Sequence, residues 1–361
     1  MSVHPNKHVS VLVPYKVSES GKLAVHDKDK YIKLDWNEST YPPAPGVRKV
    51  LGDFIGQGLL NYYPDVNAAE LRDRLSILLR VPAACVQVFN GSDAALRDIC
   101  LAYLDEDDTV LVREPVYTQI YMFIQARGAN IQAVLGRDPF EKALDRYVAA
   151  LNGRPVKMVY VPNPNNPTGT LYDRSDIEQL VSNYPGVLFI IDEAYSEFVG
   201  FSVADLAAKT PNLIVVRTFS KAFGLAGIRV GYIVCMPGTL DYIDRVRNGK
   251  EVNTLAQIAA IAALDEIDYM YRKVKEVREN RAWLVSRLRG IGFDVFDTPA
   301  NFILLKVSNV KDLMEGLKAR RILVRDRSYM PQLGGCVRIS IGMKDAMEKV
   351  LLALTELKPY V

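Results

Sequence analysis

Five short apolar runs recur through the middle of the chain: Val86-Gln87-Val88-Phe89, Thr109-Val110-Leu111-Val112, Ile131-Gln132-Ala133-Val134, Met158-Val159-Tyr160-Val161 and Val187-Leu188-Phe189-Ile190-Ile191. Stretches with helical spacing separate most of them, at 93–104, 141–151 and 174–183, and another at 68–79 precedes the first. Runs this short and this apolar suit strands covered on both faces. Alternated with helices, they limit the chain to an α/β fold, a mostly parallel sheet flanked by helices. Ligands of such sheets collect beyond the carboxyl ends of the strands, so the loops after the runs are where function is sought.

The rest of the chain is organised differently. Residues 252–288 are rich in Ala, Leu, Arg and Glu and favour helix. After Gly290-Ile291-Gly292, short strand-like runs at 302–306, 322–325 and 337–341 alternate with helical stretches near 310–319 and 343–357. This predicts a smaller second α/β domain. Residues 1–45 look irregular, apart from an alternating piece at 31–36 and the loop signal Tyr41-Pro42-Pro43-Ala44-Pro45. The expected division is an N-terminal arm with part of the small domain at 1–45, a large domain at 46–255 and a small C-terminal domain at 256–361.

Composition removes several function classes. A net charge of +3 on 361 residues is too small to argue for nucleic acid or an anionic membrane as a partner. No apolar run approaches the ~18 residues of a membrane span, and the first fifteen or so residues lack a signal-peptide pattern. The expectation is a cytoplasmic protein. Cys85, Cys100, Cys235 and Cys336 form no C-x-x-C pair, which suits thiols in a reducing compartment. The three histidines, His4, His8 and His26, all lie near the start, so a Ser-His-Asp hydrolase or a histidine metal site has little to recruit, and no metal is expected. Neither G-x-x-x-x-G-K-[ST] nor G-x-G-x-x-G occurs.

The chemistry concentrates in Arg217-Thr218-Phe219-Ser220-Lys221-Ala222-Phe223-Gly224-Leu225-Ala226-Gly227-Ile228-Arg229, between two more apolar runs. Most lysines are solvated. One set among apolar residues is costly to keep as an ammonium, so its pKa falls and it becomes a usable amine. Arg229 cannot give up its charge and suits a fixed phosphate contact. Three other pieces follow strand-like runs. Asn90-Gly91-Ser92-Asp93 opens a helix, and exposed amides there bind phosphate without a basic side chain; alone it could equally be a Ser cap. Asp192-Glu193-Ala194-Tyr195 ends a buried run in a carboxylate, alone most simply a helix cap. Pro162-Asn163-Pro164-Asn165-Asn166-Pro167-Thr168-Gly169 is by composition a tight loop.

Taken together, Ser-Lys, Gly-Leu-Ala-Gly and an arginine eight residues after the lysine resemble the Schiff-base segment of fold-type I pyridoxal-phosphate enzymes. The chain looks most like the histidinol-phosphate aminotransferase family, within the class I/II aminotransferases, over roughly residues 13–342. The resemblance implies pyridoxal 5'-phosphate as cofactor, bound covalently by Lys221. It implies Gly91, Ser92, Asp93, Thr218, Ser220 and Arg229 around the cofactor phosphate, Asp192 on the ring nitrogen, Asn166 and Tyr195 on the ring oxygen, and Tyr117 stacked on the ring. Lys221, Asp192 and Tyr195 would be catalytic. Tyr63, in Tyr62-Tyr63-Pro64-Asp65, would reach the phosphate of a neighbouring subunit, which implies a homodimer with shared sites. Tyr15 would belong to an arm closing over the substrate, and Arg325 and Arg338 would hold the substrate anion.

Two arginines and a phenol suit a phosphate better than a lone carboxylate. The expected activity is therefore transfer of an amino group between a small phosphorylated amine and glutamate/2-oxoglutarate. Histidinol phosphate is the first candidate. Trp36-Asn37-Glu38-Ser39-Thr40 stands where relatives have Asn-Glu-Asn-Pro, and Lys250-Glu251 where they have Pro-aromatic, so serinol-phosphate-like or sugar-derived amines stand beside it. Two alternatives remain at this level. One is a decarboxylase of a phosphorylated amino acid on the same scaffold. The other is the aminotransferase-like half of a transcription regulator, for which 1–45 offers no helix-turn-helix pattern.

Overall fold

A computed structural model describes residues 3–14 and 19–360. The strands in chain order are β1 (Ile32–Lys33), β2 (Val86–Phe89), β3 (Thr109–Glu114), β4 (Asn130–Leu135), β5 (Met158–Pro162), β6 (Leu188–Asp192), β7 (Leu213–Thr218), β8 (Gly231–Val234), β9 (Asp294–Phe296), β10 (Phe302–Lys306), β11 (Ile322–Leu323), β12 (Arg325–Asp326) and β13 (Cys336–Ser340). Seven of them form the main sheet in the order β2-β8-β7-β6-β5-β3-β4. All its pairings are parallel except those of β8, which runs against both β2 and β7. The α/β sheet read from the apolar runs is present.

β5, β6 and β7 are buried at every position. Strand periodicity sends successive residues to opposite faces. Phe189, Ile191 and Val215 enter one core, while Ile190, Ile214 and Val216 enter the other. Each core is closed by helices, so both faces of the sheet are dry and the runs must be apolar throughout.

The smaller sheet is antiparallel, in the order β12-β13-β10-β9. The expected strand over 322–325 is two pieces. β11 pairs in parallel with β1, tying the start of the chain to its end, whereas β12 pairs with β13. The chain changes partners at Val324. The stretch 252–288 is likewise two helices, Thr254–Asp265 and Ile267–Gly290, separated at Glu266. The Glu266 carboxylate accepts the Gly46 amide at 2.9 Å. It thereby caps helix Pro45–Gly56, whose own N-cap, Ala44, has no side chain to do so. That helix, and Gln119–Gln125 and Pro237–Asp244, lie in stretches for which no helix is expected from the residue pattern.

All four cysteines are buried and unpaired. Among the described residues no helix is long and apolar enough to cross a membrane.

Candidate active site

β7 ends at Thr218, and the next residue, Phe219, is fully buried. The chain then turns back through Gly224, at φ 71°, to reach β8. A side chain at 224 would press on the Tyr41 carbonyl, so glycine is needed both for space and for backbone sign. This turn presents Lys221 to a cavity of about 490 Å³ between the main sheet and the smaller one. The amine donates to the Trp36 carbonyl at 2.9 Å. Burial pushes its pKa down to about 8, helped by the nearby Arg338 and Arg229 guanidinium groups and opposed by Asp93 and Asp192.

One end of the cavity is built to hold an anion. Helix Ser92–Tyr103 begins here, with Gly91 as its N-cap at φ 83°. Its first amides have no partner within the helix and carry the positive end of the helix dipole. Strand β8 passes so close that a side chain at Gly231 would meet the Ser92 amide nitrogen at 2.6 Å. A Cβ on Gly91 would strike the Arg229 guanidinium. Arg229 Nη1 donates to Ser220 Oγ at 3.3 Å, and Nη2 lies 3.6 Å from Asp93 Oδ2. Thr218 Oγ1 accepts the Ser220 amide at 3.1 Å. Asp93 also accepts the Tyr117 hydroxyl at 3.1 Å, which orients that ring at the cavity wall.

The floor holds Asp192, at the carboxyl end of β6. Its Oδ2 accepts the Tyr160 hydroxyl at 2.6 Å and its Oδ1 the Ala194 amide at 3.1 Å. It caps no helix: the short helix Ser196–Val199 has Tyr195 at its N-cap. Burial pushes the Asp192 carboxyl up to about 6, against the pull of these two donors. A cation facing it would restore the carboxylate. Beside it, the Tyr195 hydroxyl accepts from Asn37 Nδ2 at 2.9 Å. Burial raises the Tyr195 pKa, while Arg338 and the Asn37 bond pull it down.

At the far end Arg338, on β13, donates through Nη1 to Asn166 Oδ1 at 2.7 Å and through Nη2 to the Asp35 carbonyl. Arg325 stands directly opposite it across the β12–β13 pair. Both line the cavity.

The fold thus gathers Ser92, Asp93, Tyr117, Asn166, Asp192, Tyr195, Thr218, Ser220, Lys221, Arg229, Arg325 and Arg338 from across the chain around one space, with Gly91 behind them. Tyr63 is not among them. It is 79% exposed, with Lys250 Nζ 4.7 Å over its ring. Tyr15 lies outside the described residues. Lys250-Glu251 does not line the cavity either; Glu251 reaches Arg97 at 3.3 Å.

Sequence reasoning missed four groups: the Trp36 carbonyl, Asn37, Tyr160 and Arg327. Asn37 is held by Ser340, whose hydroxyl bonds both its Oδ1 and its amide at 3.0 Å. Arg327 is only 7% exposed yet lines the cavity. The alternation Arg325-Asp326-Arg327 is a signal that could have found it.

Pyridoxal 5'-phosphate fits these residues. The cradle that a Cβ on Gly91 would fill offers amides, hydroxyls and one guanidinium to a phosphate. The buried Asp192 suits a ring cation, Asn166 and Tyr195 suit a ring oxygen, and Lys221 supplies an amine with a lowered pKa.

Comparison with known proteins agrees. The model of the family "Aminotransferase class I and II" matches residues 29–354. A dihydroxyacetone phosphate transaminase of Campylobacter jejuni is 36% identical over 97% of this chain and 96% of its own. A histidinol-phosphate aminotransferase of Caldanaerobacter subterraneus is 35% identical over 90% of this chain and 92% of its own. The crystal structure of histidinol-phosphate aminotransferase from Sinorhizobium meliloti, in complex with pyridoxal-5'-phosphate, shares the fold with a TM-score of 0.88 at 23% identity, over 99% of this chain and 98% of that one. A lysine on the turn after β7, an acid at the end of β6 and an anion cradle at Ser92 are what this chemistry requires, and the chain belongs to the aminotransferase class I and II family as a fold-type I, pyridoxal-phosphate-dependent aminotransferase.

Proposed function

We propose that the enzyme exchanges an amino group between a small phosphorylated amine or ketone and the glutamate/2-oxoglutarate pair. The observation that carries this is the cross-strand pair Arg325 and Arg338, two fixed cations lining the same cavity as Lys221. A phosphate offers more acceptor oxygens and more charge to such a pair than one carboxylate does. The names of two relatives support the reading. One acts on dihydroxyacetone phosphate, whose amine counterpart is serinol phosphate, and the other on histidinol phosphate.

Within that reading the residues divide the work. Bound pyridoxal phosphate supplies the electron sink for the carbon that loses its proton. Lys221 Nζ would take that proton and return it on the far side of the nitrogen being transferred. A pKa near 8 suits both directions at neutral pH. The Trp36 carbonyl would hold the amine in place whenever it stands free. Asp192 holds a proton on the ring nitrogen, and Tyr160 and the Ala194 amide hold Asp192. Asn166 is fixed by Arg338 and Tyr195 by Asn37, so both are set in advance to donate to a ring oxygen. Ser92, Asp93, Thr218, Ser220 and Arg229 grip the phosphate.

A homodimer with shared sites goes with this assignment. Tyr63 is exposed beside Leu60, Tyr62 and Val66, outside its own cavity, where a second copy could take it up. The deciding experiment is a coupled screen of serinol phosphate, histidinol phosphate and their unphosphorylated analogues against 2-oxoglutarate. Turnover of phosphorylated and unphosphorylated amines at equal efficiency would refute the proposal.

A further inference from the structure

β12 and β13 carry three arginines on one face. Side chains alternate along a strand, so Arg325 and Arg327 point the same way and Asp326 points the other. The pairing continues past the end of β12, because the Arg327 amide donates to the Cys336 carbonyl at 2.9 Å. Arg325 stands opposite Arg338 in the same ladder. The outward-turned Asp326 accepts the Ser328 amide and hydroxyl at 2.8 and 2.7 Å. All three arginines line the cavity that holds Lys221, and Asp326 does not.

The three are not equivalent. Arg338 has both terminal nitrogens engaged, by Asn166 and by the Asp35 carbonyl, so its position is fixed from behind. Arg327 is held at Nη1 by the Tyr329 hydroxyl at 3.1 Å. Its charge reaches the reaction centre, where it acts with Arg338 to lower the Tyr195 pKa. An arginine cannot shed its proton to ease burial. A carboxylate carries one charge; a phosphomonoester carries close to two, with three oxygens to share among three forks.

Resting on the phosphate reading above, we propose that Arg327 is a specificity-determining residue that binds the substrate phosphate together with Arg325 and Arg338. It makes the site select a phosphomonoester over a carboxylate.

The test uses holoenzyme, whose cofactor already fills the Ser92 cradle, and inorganic phosphate as an inhibitor competing with the amine. Arg327→Met is expected to raise the inhibition constant of phosphate by about ten- to a hundredfold, the usual range for losing a charge-assisted hydrogen bond. The preference for the phosphorylated amine over its unphosphorylated analogue should fall in parallel, and by several times more than kcat/KM for glutamate falls. Arg327→Lys keeps the buried charge, and with it the fold, but cannot fork. It should still weaken phosphate severalfold, and an unchanged inhibition constant in that variant overturns the proposal. Equal losses for phosphate and glutamate overturn it too, because Arg327 then serves any anion. If the wild type demands phosphate and Arg327→Met demands it equally, this assignment alone fails. If the wild type ignores phosphate, the proposed function itself fails, and this inference with it.

Discussion

Replacing Lys221 by Met should abolish turnover of the holoenzyme and yet make the cofactor-stripped fold more stable. Burial, aided by Arg338, pushes the lysine pKa from its ordinary 10.5 down to about 8. Keeping the proton on the folded chain at pH 7 therefore costs about 3 kcal/mol, at roughly 1.4 kcal/mol for each tenfold change. Methionine matches the lysine's length and carries no charge. Against the gain stands the lost hydrogen bond to the Trp36 carbonyl, about 1 kcal/mol. The net expectation is about 2 kcal/mol in favour of the variant at pH 7. The pH dependence fixes the sign. Between about 8 and 10.5 the unfolded chain binds more protons than the folded one, so wild-type stability rises with pH through that window. The variant's advantage should thus be complete below about pH 8 and gone above about 10.5. Denaturant unfolding of both cofactor-stripped proteins from pH 6 to 10 measures it. A variant less stable than wild type at pH 7, or a difference that ignores pH, would show that the amine is not under this strain.

Three further outcomes follow from the site. Asp192→Asn should retain cofactor, since the phosphate cradle is untouched, but lose most turnover, because an amide cannot hold the ring proton; near-normal rates would refute its role. Tyr160→Phe removes a donor that holds the Asp192 pKa down, so the acid limb of kcat/KM should move to higher pH, and a fixed limb would show that Tyr160 only packs. Mixing Tyr63→Phe chains with Lys221→Ala chains should restore activity by leaving one unaltered site in each hybrid dimer. A fully active monomer in dilute solution would contradict shared sites.

What could be read in the sequence divides along the range of the interactions. A strand buried on both faces has to be apolar at every position, so β5, β6 and β7 announce themselves locally. The motifs around Ser92, Asp192 and Lys221 are legible for a related reason: each is one strand end and the turn after it. Groups that work through a distant partner leave no such mark. Glu266 ends a helix to cap another 220 residues earlier in the chain, and nothing in 252–288 predicts the break. Asn37 meets Tyr195 across 158 residues and Ser340 across 303. Tyr160 reads as one more apolar strand residue until β5 is placed beside β6 in register. The Trp36 carbonyl is backbone, for which sequence has no letter. Arg327 lies between these cases. Its two-residue spacing from Arg325 is plain in the sequence, but spacing places two side chains on one face only when the backbone is extended. That depended on the change of partner at Val324, which neither Ile322-Leu323 nor Arg325-Asp326 reveals alone. Specificity in this site is therefore written less in the residues that the cofactor needs than in where the small sheet exchanges one strand partner for another.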